Sequence, residues 1–298
     1  MKEGIQVSPK YDTEADKSVS LYVELVQDAK RPRCDVFWNN EILSSIRLQQ
    51  QGLLEPYECR AEGAFPEDCR ARDHTWHAFA ARARVLLVNR DLVKDVDRIK
   101  SIFDLTDSQW KGKVGMARPM HGTSATQAAC LFEVLGEERA RQFYLDLKNN
   151  NVQIAPGNKD VAEWVSQGKL AIGITDTDDA LGEIEQGKNV VMVFPDREGS
   201  KEFPRLGTLI IPNTVCIMRG APNLEGARKL VDYLLSPEVE GSLAESESHQ
   251  IPLNPGVKVK LPKGMETPSS VKQMKVDFEK AADLWDTTQR FLTGEFEN

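Results

Sequence analysis

Two β-rich runs, 79–89 and 208–218, fall about one third and two thirds along a chain of 298 residues whose other short strands alternate with helices. That alternation predicts an α/β class built on a parallel sheet. The two long runs, the second with Pro212 inside it, read as crossovers between two lobes, giving a discontinuous chain with a cleft. Short strands are expected at 5–7, 34–38, 113–117, 170–175 and 190–194. Helices are expected at 13–29, 42–51, 104–111, 122–135, 137–149, 158–167, 223–235 and 270–291, with another opening at Ser236-Pro237.

The local feature with the most chemical content follows the apolar strand 170–175. Asp176, Asp178 and Asp179 crowd into four residues at its end. Strand ends of α/β domains are where ligands usually sit, and packed acid groups need a cation or hydrogen-bond donors. The structural alternative is a cap for the helix that follows, with extra acids favourable at its positive end. Both readings stand at this point, although one cap needs one acid. Gly122-Thr123-Ser124-Ala125-Thr126 forms a second focus. It lies between a strand and a helix, where free N–H groups and hydroxyls hold an anion, whereas capping alone accounts for one hydroxyl.

Composition narrows the partners. A net charge of −8 and a pI of about 5.3 give no basic footprint for nucleic acid or an anionic membrane. No apolar run approaches the ~20 residues of a bilayer span, and the first residues lack the apolar core of a secretion signal. No Ser/His/acid set, P-loop or GxGxxG points to an enzyme. No helix-turn-helix with a basic face points to a transcription regulator. Cys34, Cys59, Cys69, Cys130 and Cys216 make no CxxC and no zinc-like pattern. Cys59 and Cys69 flank a loop that a disulfide would close in an oxidising compartment, and buried free thiols are the alternative. His74, His77 and His121 read as loop residues, and Cys130 as helix packing.

An ordered set of segments carries a family resemblance. Arg33-Cys34-Asp35-Val36-Phe37-Trp38-Asn39-Asn40-Glu41 is followed by Gly52-Leu53-Leu54-Glu55-Pro56-Tyr57 and Phe79-Ala80-Ala81-Arg82-Ala83-Arg84-Val85-Leu86. Trp110-Lys111-Gly112-Lys113-Val114, Ile211-Pro212-Asn213-Thr214 and Leu234-Leu235-Ser236-Pro237-Glu238-Val239-Glu240 complete the series. Together they resemble the bacterial extracytoplasmic solute-binding proteins of ABC importers, of the ferric-iron-binding type. The resemblance implies a type II periplasmic-binding fold that closes by hinge motion. Lobe 1 is then expected at 1–82 and 213–270, and lobe 2 at 83–212 and 271–298. It further implies a periplasmic or other extracytoplasmic location, an ABC-transporter permease as partner, no enzymatic activity and no required cofactor.

The same resemblance assigns site residues. Glu41, Asp176, Asp178 and Asp179 become metal ligands, and Thr123, Ser124, Ala125 and Asn158 the holders of a synergistic anion. Capping remains the alternative for Glu41, and a turn or cap for Asn158. Two departures stand out. The family's leading strand, helix and signal peptide have no counterpart, which implies an N-terminal truncation. The family's adjacent tyrosines are replaced by Asp178 and Asp179, hard oxygen donors that suit Fe(III) but also Ca²⁺, Mg²⁺ or Mn²⁺. The expected cargo is a metal ion, ferric or another hard cation, with phosphate or carbonate. The alternative is a small organic solute, polyamine-like or bearing a phosphate or phosphonate.

Overall fold

Residues 4–12 and 20–297 are described by the structure, a computed structural model. In chain order the first elements are α1 (Ser20–Gln27), β1 (Val36–Asn39), α2 (Ile42–Gln50), β2 (Leu54–Glu55), β3 (Trp76–Asn89), β4 (Val114–Ala117), α3 (Gly122–Leu135) and α4 (Glu137–Asn149). There follow β5 (Gln153–Ala155), α5 (Asn158–Ser166), β6 (Ile172–Asp176), α6 (Thr177–Glu185), β7 (Val190–Val193) and β8 (Ile210–Met218). Four helices close the chain: α7 (Leu224–Leu234), α8 (Pro237–Glu245), α9 (Phe278–Asp283) and α10 (Trp285–Phe296). The chain divides into two compact units, residues 1–81 with 212–261 and residues 82–211 with 262–298. Strands β3 and β8 each run through both.

In the first unit β8 pairs antiparallel with β1, from Val36 opposite Ile217 to Asn39 opposite Thr214, and with β2. Helix α2 buries Ile42, Leu43, Ile46 and Leu48, and α7 buries Ala227, Val231 and Leu234. The α7 set is a one-sided apolar stripe at helical spacing, whereas α2 is buried nearly all round at its start, Ser44 and Ser45 included.

In the second unit β6 is the organising strand. It runs parallel to β4 and antiparallel to β3, with β5 parallel to β4 on its far side and β7 antiparallel to β3. The sheet is therefore mixed rather than purely parallel, because the long β3 run enters it antiparallel to β6. Strands β4, β5 and β6 all point the same way, and each is followed by a helix: α3, α5 and α6 respectively. The topology thus starts three helices at one end of the sheet, outside the carboxyl ends of its parallel strands, where ligands bind in α/β folds. Gly173 permits the close approach this needs. A Cβ there would meet Val161 Cγ1 at 2.4 Å and Val165 Cγ2 at 2.9 Å, so α5 lies directly on β6.

Several local expectations change. The helix expected at 104–111 is two 3₁₀ turns, Ile102–Thr106 and Ser108–Trp110, because Ser101 caps the first and Asp107 begins the second as its own cap. The helix expected at 270–291 starts only at Phe278, capped by Asp277. The preceding segment is held extended, since Thr208 N–H donates to Lys272 O and Met274 N–H donates to Thr208 O. Residues 5–7 form no strand. Of the helix expected at 13–29, residues 13–19 lie outside the described residues, and the described part begins at Ser20. All five cysteines are free thiols, so Cys59 and Cys69 are unbridged.

Two glycine substitutions test this packing. Gly173→Ala should lower unfolding stability by about 1–3 kcal/mol in urea melts, since two valines must move. Gly182→Ala, inside α6 with nothing within 4 Å of the added methyl, should raise it by about 0.5–1 kcal/mol. Equal effects of the two would contradict the α5–β6 contact.

Candidate functional site

The three helix starts of the second unit converge on one buried ion pair. Arg84 of β3 stands directly opposite Asp176 of β6 in the sheet register, and its Nη1 lies 2.7 Å from Asp176 Oδ1. Both side chains are almost completely buried. The guanidinium also donates to Gln127 Oε1 (3.0 Å), Asn158 Oδ1 (3.0 Å), Thr123 Oγ1 (3.3 Å) and Ser124 Oγ (3.4 Å). The other Asp176 oxygen accepts from Thr123 Oγ1 at 2.6 Å and Asn158 Nδ2 at 2.9 Å. The hydroxyl-bearing turn, Asn158 and the first acid of the trio are thus one hydrogen-bonded knot. A buried ion pair persists only when its remaining donors and acceptors are met in this way.

None of the three helix starts is capped by a side chain. His121 before α3, Gly157 before α5 and Asp176 before α6 make no side-chain cap bond. Asp176 occupies the cap position but turns its carboxylate to Arg84. Gly122, Thr123 and Ser124 sit in the first turn of α3, where helix geometry gives the N–H groups no intrahelical acceptor. Ala125 differs, because its N–H donates to His121 O and its methyl is buried, so it offers no free donor.

Asp178 and Asp179 lie in the first turn of α6, beyond the knot and partly exposed. One oxygen from each of Asp176, Asp178 and Asp179 falls within 4.8 Å of the others. Arg82, two residues before Arg84 and so on the same face of β3, places Nη1 3.6 Å from Asp178 Oδ2. That contact is loose. Arg82 Nε and Asp178 Oδ1 are both buried and have no hydrogen-bond partner. Burial pushes the Asp178 carboxyl above the usual carboxylate range against the pull of Arg82, and Asp176 adds to the rise. Burial opposes the Arg82 charge, but Asp178, Asp176 and Asp179 together outweigh it and raise its pKa.

Glu41 belongs to the first unit and is occupied locally. As the N-cap of α2 it accepts from Leu43 N–H at 2.8 Å and Ser44 N–H at 3.2 Å, and Asn39 Nδ2 donates to it at 2.8 Å. The helix-capping alternative accounts for its position. Arg82 and Arg84 are the site residues that reading the sequence for acids and hydroxyls missed. Their signal was present: two cations at a spacing of two inside an otherwise alanine-rich and apolar strand.

Two substitutions separate the knot from the acids beyond it. Asp176→Asn leaves Arg84 buried without its counter-charge, so stability should fall by about 3–5 kcal/mol in urea unfolding; a loss under about 1 kcal/mol would contradict the knot's structural role. For Asp178, the folded carboxyl keeps its proton to higher pH than the unfolded one, so stability falls as pH rises from the ordinary value through the raised one. Asp178→Asn should therefore raise the urea midpoint at about pH 7 relative to that at about pH 4, compared with the parent chain. An unchanged difference would contradict the burial penalty.

Comparisons with known proteins agree with this architecture. The family model for bacterial extracellular solute-binding proteins matches residues 44–269. Iron uptake protein A1 of Synechocystis sp. is 26% identical over 253 residues, which cover 81% of this chain and 68% of that protein. A putative 2-aminoethylphosphonate-binding periplasmic protein of Salmonella typhi is 26% identical over 201 residues, covering 67% of this chain and 57% of that protein. The solved ferric binding protein from Campylobacter jejuni superposes with a TM-score of 0.85 at 21% identity, covering 99% of this chain and 92% of that one. Proteins of this family bind solutes outside the cytoplasm and do not transform them, and among the described residues no helix is long and apolar enough to cross a membrane. With a mixed α/β fold shared with periplasmic ferric-binding proteins and a family match over most of its length, the chain belongs to the bacterial extracellular solute-binding protein family.

Proposed function

We propose that this chain captures a hard metal cation together with a small oxyanion and hands them to the permease of an ABC importer. One observation carries the reading: the second unit presents opposite binding demands side by side. Three acids bring oxygens within 4.8 Å, while the side-chain-uncapped starts of α3, α5 and α6 meet at the same corner. Carboxylates are hard donors for Fe(III) and comparable cations, and helix starts attract phosphate or carbonate. In this reading Asp178 and Asp179 supply the metal oxygens, because Asp176 is held by Arg84. The first turn of α3 with Thr123 and Ser124 receives the anion, and Asn158 fixes that turn. Glu41 enters as a cap of the first unit rather than as a ligand. The relative named for iron uptake supports the cation.

A second reading rests on Arg82. Its guanidinium, 3.6 Å from Asp178, already offsets part of the acid charge and disfavours a highly charged metal beside it. A zwitterionic solute with an ammonium at Asp178 and Asp179 and a phosphonate at Arg82 and the start of α3 answers that arrangement. The relative named for 2-aminoethylphosphonate supports it.

Thermal unfolding with candidate ligands decides between them. A ligand at about 100 times its Kd stabilises by about 2.7 kcal/mol, a shift of several degrees. Fe(III), Ca²⁺, Mn²⁺ and Mg²⁺ should be tried with and without phosphate, beside 2-aminoethylphosphonate. The proposal expects a metal-dependent shift that grows with phosphate and disappears in the Asp178→Asn/Asp179→Asn double variant. A shift with the phosphonate alone selects the second reading, and no shift with any of them contradicts both.

A further inference from the structure

Outside that corner, the first unit gathers a second set of metal-ligating side chains. Cys59, Glu62 and His77 are all buried, and one ligand atom from each lies within 4.8 Å of the others. They come from two segments that the backbone ties together. Glu62 N–H donates to Cys59 O, making a Cys-x-x-Glu turn, and Tyr57 N–H donates to His74 O. Arg70 and His77 form an antiparallel bridge around the turn that carries His74. Asp232 fastens the loop from the other side, accepting from Tyr57 Oη and Arg60 N–H, each at 3.0 Å.

Hydrogen bonding fixes the chemical state of the donors. His77 Nε2 lies 2.8 Å from Tyr57 O, and a carbonyl can only accept, so in the neutral ring the proton sits on Nε2. The Nδ1 lone pair then faces Glu62 Oε2 and Cys59 Sγ, each at 3.9 Å. An imidazole lone pair aimed at a carboxylate oxygen is acceptor against acceptor, which nothing in the hydrogen-bond pattern resolves. The long contact to the thiol is at most a weak bond. Metal-binding histidines are commonly held in this way, with the second ring nitrogen donating to a backbone carbonyl. Glu62 is oriented through both oxygens: Arg70 Nε lies 2.9 Å from Oε1, and His74 Nδ1 lies 2.9 Å from Oε2, the oxygen that faces His77.

We infer that Cys59, Glu62 and His77 form a structural site for a divalent zinc-like ion, separate from the solute corner. Sulfur, nitrogen and oxygen donors in a closed, tetrahedral arrangement suit Zn²⁺. Ligand atoms around a tetrahedral zinc are about 3.3–3.6 Å apart for its usual bond lengths, so both 3.9 Å contacts of His77, and the Cys59–Glu62 separation of under 4.8 Å, contract to that range when the ion binds. His74 Nδ1 hydrogen-bonds the same Glu62 oxygen at 2.9 Å from outside the three-residue cluster, so the fourth position would fall to water. The ion would lock the loop at 57–62 onto the start of β3. Cys59-x-x-Glu62 puts two of the donors on one turn, and His77 comes from the start of β3.

Titration of the full chain with Co²⁺ alone, after chelator stripping and under reducing conditions, tests the site. The expected result is a stoichiometric rise of intense tetrahedral d–d bands with a thiolate-to-cobalt charge-transfer band, both removed by Zn²⁺. The solute corner contains no sulfur and cannot produce that band. Cys59→Ser should abolish it and weaken zinc binding by ~100-fold or more, whereas Cys69→Ser should keep it. A pale octahedral spectrum without the thiolate band in the unaltered chain overturns the inference without recourse to any variant. A thiolate band that survives Cys59→Ser does so equally.

Discussion

Arg84 and Asp176 face each other across β3 and β6 in the interior of the second unit, and the rest of the site is arranged around that pair. Two opposite charges so deeply buried are costly unless every remaining donor and acceptor is met. Thr123, Ser124, Gln127 and Asn158 meet them. Those partners stand in the first two turns of α3 and at the beginning of α5, and Asp176 stands at the beginning of α6. The ion pair therefore does what conventional caps would do elsewhere: it fixes three helix starts relative to one another. It does so without covering their N–H groups with side-chain oxygens.

This arrangement divides the acid trio by role. Asp176 is engaged by Arg84, Thr123 and Asn158, while Asp178 and Asp179 stand one step outward on α6 with Arg82 beside them. A site of this kind stores a mismatch: an unpartnered carboxylate oxygen and an unpartnered guanidinium nitrogen are buried near each other without a bond between them. Such atoms are rare in folded interiors because each carries a desolvation penalty. A ligand that contacts both would relieve that penalty on binding, which turns a cost of folding into a contribution to affinity.

The parts of this picture that were legible in the sequence are those carried by local spacing. Acids closing an apolar strand, hydroxyls opening a helix, and long β runs among shorter alternating elements all leave a mark within a dozen residues. Arg82 and Arg84 left a weaker mark, since their partners lie about ninety residues away and only the β3–β6 register joins them. The role of Asp176 was ambiguous for the same reason: cap and ion-pair partner look alike until the opposing strand is known. The Cys59, Glu62 and His77 group escaped because its two halves are brought together by a turn and a strand bridge, so no short spacing marks it in the sequence. The late start of α9 escaped because a tertiary contact with Thr208 keeps the preceding residues extended against their helical pattern.

The claim on which the functional account turns is that a cation sits on Asp178 and Asp179 beside an anion at the start of α3. An anomalous difference map at the iron edge, from crystals grown with ferric ion and phosphate, addresses it most directly. The account predicts one peak within bonding distance of the Asp178 and Asp179 carboxylates, with phosphate density at Thr123 and Ser124. A map with no peak at these aspartates, or with iron bound only elsewhere on the chain, would contradict it.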